Sequence, residues 1–150
     1  MFLKFLMLAI LLVAAVAVVA ADKPAPKSPA AAAERAVNVQ DIAYYFHGNV
    51  RCETCLRIEQ QAREAIEKRF SVEVAEKRLV FKPVNYDQPE NAHFLKEYKL
   101  PCPSLVLVRQ KGGKDEKWKL LDKTWEFAEN PIALKEYVER ETDKLLKGTE

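Results

Sequence analysis

The sequence predicts an α/β domain whose mixed sheet carries helices on both faces, and three observations lead there. Short apolar runs alternate with segments of helical periodicity, in the order strand, helix, strand, helix, hairpin, helix. A glycine pair, Gly112-Gly113, separates the last two strands and marks a tight antiparallel turn. The motif Cys52-Glu53-Thr54-Cys55 stands at the junction of the first strand and the first helix, where two thiols one turn apart can close and open a small disulfide ring.

Each element has its own reason. Ile42-Ala43-Tyr44-Tyr45-Phe46 is apolar and aromatic and ends at Gly48-Asn49, the pattern of a buried strand and a turn. Val37 and Val39 alternate with polar residues and predict a short edge strand before it. After Cys55 the apolar positions Ile58, Ala62, Ala65, Ile66 and Phe70 form one stripe, so a helix is expected to residue 70. Residues 79–85 read as a second buried strand, with Pro83 predicting a local irregularity. Pro89 opens a short helix expected over 88–98. Ser104-Leu105-Val106-Leu107-Val108 and residues 117–121 form the hairpin. Asn130-Pro131 supplies an N-cap and a first-turn proline for the last helix, whose stripe is Leu134, Tyr137, Val138 and Leu145. Trp118, Trp125 and Tyr137 are expected in the core.

The N-terminus is organised differently. Residues 1–21 hold Lys4, an unbroken apolar run and a small-residue ending at Val19-Ala20-Ala21, which reads as a secretory signal peptide or an uncleaved anchor. The small-residue ending favours cleavage, and either reading exports the rest of the chain to the periplasm or the outer side of an inner membrane. Residues 22–35, rich in Pro and Ala, read as a linker, which leaves 36–150 as the domain. A net charge of +2 with signs well mixed gives no support for a nucleic-acid partner, and the membrane enters only through the first segment.

Three cysteines in an exported chain are an odd number, so one thiol is left when a pair closes. A thiolate at Cys52 would gain from the unpaired N–H groups at the helix start and from Arg51, with Glu53 opposing. Cys52 is then the attacking sulfur and Cys55 the resolving one. His47 closes the strand ahead of the loop, where its imidazolium would favour a thiolate; a backbone-bonded interior histidine is the plainer reading. A structural zinc site needs four ligands, and only one further cysteine exists. Cys102 can be a third redox thiol, part of a three-thiolate copper(I) site, or simply a small buried residue.

Strand, Cys52-x-x-Cys55, helix, and later Cys102-Pro103-Ser104 at the start of a hairpin strand together resemble the thioredoxin fold over nearly all of the domain. Asn85-Tyr86-Asp87, closing the second strand, adds a third match. Tyr45-Phe46-His47-Gly48-Asn49, Arg51-Cys52-x-Thr54-Cys55-x-x-Ile58-Glu59 and Asp87-x-Pro89-Glu90-Asn91-x-His93-Phe94 are similar to a narrower group, the ArsF-family subunit of a nitrophenyl-compound nitroreductase. The superfamily resemblance implies that Pro103 is a cis proline facing the cysteine pair and that Cys102 presents backbone to an extended substrate. The chain departs from common thioredoxins in having Arg51-Cys52-Glu53-Thr54-Cys55 where they have Trp-Cys-Gly-Pro-Cys. Their buried aspartate before the motif is replaced here by Tyr45 or Phe46.

The expected function is thiol–disulfide exchange through Cys52 and Cys55 with protein thiols or disulfides, without a cofactor. The domain lacks room for the helical insertion of periplasmic disulfide-forming oxidases, which favours a reductase or electron relay fed by a membrane thiol donor. Two other classes stand beside it. One is a copper or zinc chaperone using Cys52, Cys55 and Cys102 or His47, and the other is an interaction domain whose disulfide only staples a loop.

Overall fold

The structure is a computed structural model, and it describes residues 39–149. The readings of residues 1–21 and 22–35, and Val37, fall outside the described residues; Val39, expected with Val37 in a separate edge strand, is the first residue of β1. Among the described residues four strands form one sheet in the order β2-β1-β3-β4: β1 Val39–His47, β2 Leu79–Asn85, β3 Ser104–Lys111 and β4 Lys114–Leu120. β1 runs parallel to β2 and antiparallel to β3, and β4 is antiparallel to β3. The parallel pair needs a crossover, supplied by α1 Glu53–Arg69 and the short α2 Ser71–Ala75. A one-turn 3₁₀ helix at Pro89–Asn91 and α3 His93–Glu97 connect β2 to β3, and α4 Pro131–Lys147 closes the chain. The βαβ unit followed by a ββα unit is the thioredoxin-like three-layer arrangement.

Alternation along β1 sorts the core into two. Ala43 and Tyr45 point to the side where α1 and α4 lie, joining Ile58, Ala62, Ile66, Leu105, Leu107, Leu134 and Val138. Ile42, Tyr44 and Phe46 point to the other side, against Val106, Val108 and Tyr98, with Phe94 and Leu100 packed on them. The first face is covered by two 17-residue helices, the second by the five-residue α3 and its flanking turns. Aromatic bulk makes up for the thin cover. Tyr44, Phe46, Phe94 and Tyr98 have ring centroids 5.2–6.2 Å apart. Tyr98 donates its O–H to Asp115 of β4 at 2.5 Å, and burial with that bond pushes its phenol well above the ordinary range.

The far end of β1 is fixed by charge. Asp41, 4% exposed, accepts from Arg109 of β3 at 2.9 and 3.0 Å, a two-pronged bond across the sheet. The same guanidinium donates to the Leu145 carbonyl in the last turn of α4. On the flank of α4, Glu141 accepts from Lys119, Arg140 and Lys144. Burial opposes its charge, but the three donors outweigh it and hold its carboxyl at about 2.

Several expectations change. The helix expected over 88–98 is broken into a 3₁₀ turn and α3 at Ala92. β4 starts at Lys114, not at 117, because it is an edge strand whose polar positions face water and give no apolar signal. Pro83 sits on the edge strand β2 in unbroken register, opposite Tyr45, so no irregularity follows from it. Tyr137 is buried, whereas Trp118 and Trp125 are 38% and 36% exposed. Trp118 lies on the outer strand and meets Tyr98 edge-on, so only one side of its ring is covered.

Candidate active site

Cys52 is the N-cap of α1, with extended backbone (φ −75°, ψ 162°), and its Sγ accepts the Cys55 N–H at 3.1 Å. The two sulfurs are joined in a disulfide across a Cα–Cα distance of 5.1 Å. Their surroundings differ: Cys52 is exposed, while Cys55 is 5% exposed on the apolar side of α1. An N-cap sulfur that already accepts a backbone N–H is placed to keep that bond as a thiolate, since the first-turn donors and the helix dipole favour an anion there.

Below the pair lies Tyr45. Of the two strand positions considered, it is Tyr45 that faces α1, while Phe46 faces the opposite core. The Tyr45 phenol, wholly buried, donates to the Cys55 carbonyl at 2.7 Å. Burial raises its pKa to about 12, with the Arg51 charge lowering it and a Cys102 charge raising it. Arg51 turns back over α1 to pair with Glu59, which also takes Arg63 at 3.2 Å, so part of its positive charge is neutralised.

The loop between β1 and α1 is clasped by the end of β2. The Asn49 N–H donates to Asp87 Oδ2 at 2.7 Å, and Asn85 Nδ2 donates to Asn49 Oδ1 at 2.8 Å. Gly48 fits under this clasp because a Cβ there would stand 2.9 Å from Asp87 Oδ2 and 3.3 Å from the Tyr86 ring. His47 is half-buried, and its Nδ1 lies 3.0 Å from the Gly48 carbonyl. It thus takes the backbone contact of the plainer reading.

Across from the clasp, the turn entering β3 carries Cys102 and Pro103. Every peptide bond among the described residues is trans, which corrects the expected cis bond at Pro103. Trans is the intrinsically lower state, and two side-chain donors bond the carbonyls of this turn. Ser104 Oγ donates to the Cys102 carbonyl at 2.7 Å, and Trp125 Nε1 donates to the Pro103 carbonyl at 2.7 Å. Cys102 is a half-buried free thiol with its Sγ 3.6 Å from the Pro103 carbonyl oxygen. Among the described residues no three His, Cys, Asp or Glu side chains converge on a point that could hold a metal ion.

Cys52, Cys55, Arg51, His47, Cys102 and Pro103 therefore all lie at one end of the sheet, around the C-terminal end of β1 and the start of β3. Sequence reasoning missed two contributors. Trp125 reads as a core aromatic in the sequence, although its segment lacks strand or helix periodicity, the signal of a loop position. Glu59 gave no sign of pairing with Arg51 beyond its place two turns into α1.

No protein-family model and no curated protein sequence matches the chain. Solved structures do. Trxlp from Edwardsiella tarda EIB202 is 19% identical, with a TM-score of 0.40 over 75% of this chain and 95% of that one. The zinc-bound form of human ERp44 is 20% identical, with a TM-score of 0.45 over 72% of this chain and 28% of that one. Oxidised thioredoxin O2 from Arabidopsis thaliana is 16% identical, with a TM-score of 0.38 over 63% of this chain and 75% of that one.

Proposed function

We propose that the chain is a thiol–disulfide oxidoreductase that exchanges electrons with a partner protein through Cys52 and Cys55. The observation that carries this reading is the asymmetry of the pair. Cys52 is exposed at the N-cap of α1 with a backbone donor on its sulfur, and its disulfide partner is buried one turn in. In the dithiol form, the Cys52 thiolate attacks one sulfur of the partner's disulfide, whose other sulfur leaves as a thiolate. Cys55, deprotonated in turn, attacks Cys52 Sγ. The Cys52–Cys55 bond forms, the mixed disulfide breaks, and the second partner sulfur departs with the electron pair. The chain is oxidised by two electrons and the partner reduced by two.

Arg51 contributes positive potential at Cys52, moderated by Glu59, and the Cys102–Pro103 turn supplies the wall against which a partner strand would lie. We place the exchange outside the cytoplasm, with residues 1–21 as the export signal or anchor, and assign the chain a reductase or relay role fed by a membrane thiol donor. The resemblance to the ArsF-family nitroreductase subunit makes a redox partner protein the acceptor.

The test is a redox titration of the full chain in graded thiol buffers, with alkylated cysteines counted by mass and mapped. A reversible two-thiol transition at Cys52 and Cys55, between the glutathione and thioredoxin potentials, is expected. A pair that stays oxidised far below that window would make the disulfide a staple and end the exchange reading.

A further inference from the structure

The bond from Tyr45 to the Cys55 carbonyl does more than satisfy a buried phenol. It joins Tyr45, on the α1-facing side of β1, to the first turn of α1, ten residues on, at the residue that must close the disulfide ring. As the third residue of α1, Cys55 has a carbonyl that already has a place in the helix ladder, so the phenol is a second donor on one oxygen. Both ends are buried, and the phenol's pKa near 12 keeps it a donor at any working pH.

We infer that Tyr45 is a positioning residue for ring closure: its O–H fixes the turn that carries Cys55, so that Cys55 Sγ stays within reach of Cys52 when no covalent bond joins them. The inference rests on the exchange reading above. The hydrogen bond is present with the ring closed, and bond and disulfide hold the same turn, so each favours the other and loss of the bond makes the ring harder to close. The step it serves is balanced: Cys55 loses its proton to water, its sulfur bonds to Cys52 Sγ, and the partner sulfur leaves as a thiolate with the electron pair of the broken bond. A loosened turn lowers the effective concentration of the Cys55 thiolate at Cys52.

The experiment uses the full chain with Tyr45→Phe, and Tyr44→Phe as a control that removes a phenol from the same strand on the opposite face. The ring-closing equilibrium against glutathione and the closing rate from a Cys52–glutathione mixed disulfide are measured for each. With Tyr45→Phe, both are expected to fall by about three- to tenfold, the scale of one ordinary buried hydrogen bond. The control should stay within twofold. If Tyr45→Phe does not fold, 3-fluorotyrosine placed at residue 45 keeps the ring and makes a stronger donor, and it should raise the closing equilibrium. Values for the altered residue 45 within twofold of the unmodified chain would overturn the inference and leave the exchange function standing. A parent chain with no reversible transition would overturn both.

Discussion

The two ends of β1 are held in opposite ways. At the Asp41 end a buried carboxylate takes both prongs of Arg109, which also reaches the Leu145 carbonyl, so two strands and the last helix are tied by paired charge. At the His47 end the loop, the Cys55 turn and the turn into β3 are held by neutral donors, Tyr45 on Cys55, Asn85 on Asn49 and Trp125 on Pro103, while the Arg51–Glu59 ion pair lies along α1. Asp87 adds a carboxylate that accepts from a backbone N–H at the edge of the loop. A buried charge pair resists rearrangement because separating its members strands a charge in low dielectric. Neutral bonds lower that barrier. The difference teaches that the fold is anchored where nothing has to react, and is held more lightly where a sulfur must change partners.

Breaking each end should therefore have different consequences. Cys52→Ser is expected to abolish exchange with glutathione while leaving the urea midpoint of the reduced chain nearly unchanged. Asp41→Ala should do the reverse, costing about 3–5 kcal/mol in urea unfolding by leaving Arg109 without its buried carboxylate. A reduced chain of near-normal exchange rate under native conditions would be the accompanying sign. If Asp41→Ala unfolds no more easily than the parent, the anchoring role assigned to the far end is wrong.

The comparison sharpens with pH. Glu141, on the flank of α4, has a folded pKa of about 2, below its ordinary 4.5. Its contribution is complete above the ordinary value and disappears as pH falls through about 2, because the carboxyl is then protonated in the folded chain as well as in the unfolded one. Glu141→Gln should flatten the stability loss between pH 5 and pH 2 in a series of urea titrations. An unchanged slope would show that other carboxylates govern the acid limb.

Smaller effects belong to the site end. Gly48→Ala is expected to cost about 1–2 kcal/mol, since the new Cβ meets the clasped Asp87 carboxylate. Removing the indole donor with Trp125→Phe should cost about 1 kcal/mol or less, with a change in exchange rate larger than the change in urea midpoint. Alkylation of the reduced chain should modify Cys52 at least about tenfold faster than Cys55, as exposure of the thiolate dictates.

The sequence made the order of elements legible because periodicity reports burial, and burial is what arranges these elements. The stripe from Ile58 to Phe70 and the apolar run of β3 both appear as expected. The same signal fails where burial is partial. β4 is exposed over nearly its whole length, and α3 is too short to show a full helical period. The candidate site was legible as Cys52, Cys55, Cys102 and Pro103, since motif spacing survives without contacts. Its supports were not. Asp41 and Arg109 are 68 residues apart, Trp125 and Pro103 are 22 apart, and no local pattern links either pair. The bond at Pro103 is trans, the intrinsically lower state, and the motif alone does not report it.

The unpaired edges of the sheet have a consequence for the molecule in a crowd. β2 ends the sheet on one side and carries Pro83, which has no N–H to give to an incoming strand. β4 ends it on the other, with Lys114, Lys117 and Lys119 spaced along seven residues. A second copy approaching that edge about its centre would bring Lys117 against Lys117 and meet repulsion before any ladder formed. The described domain thereby discourages strand-to-strand accretion at both borders of its sheet.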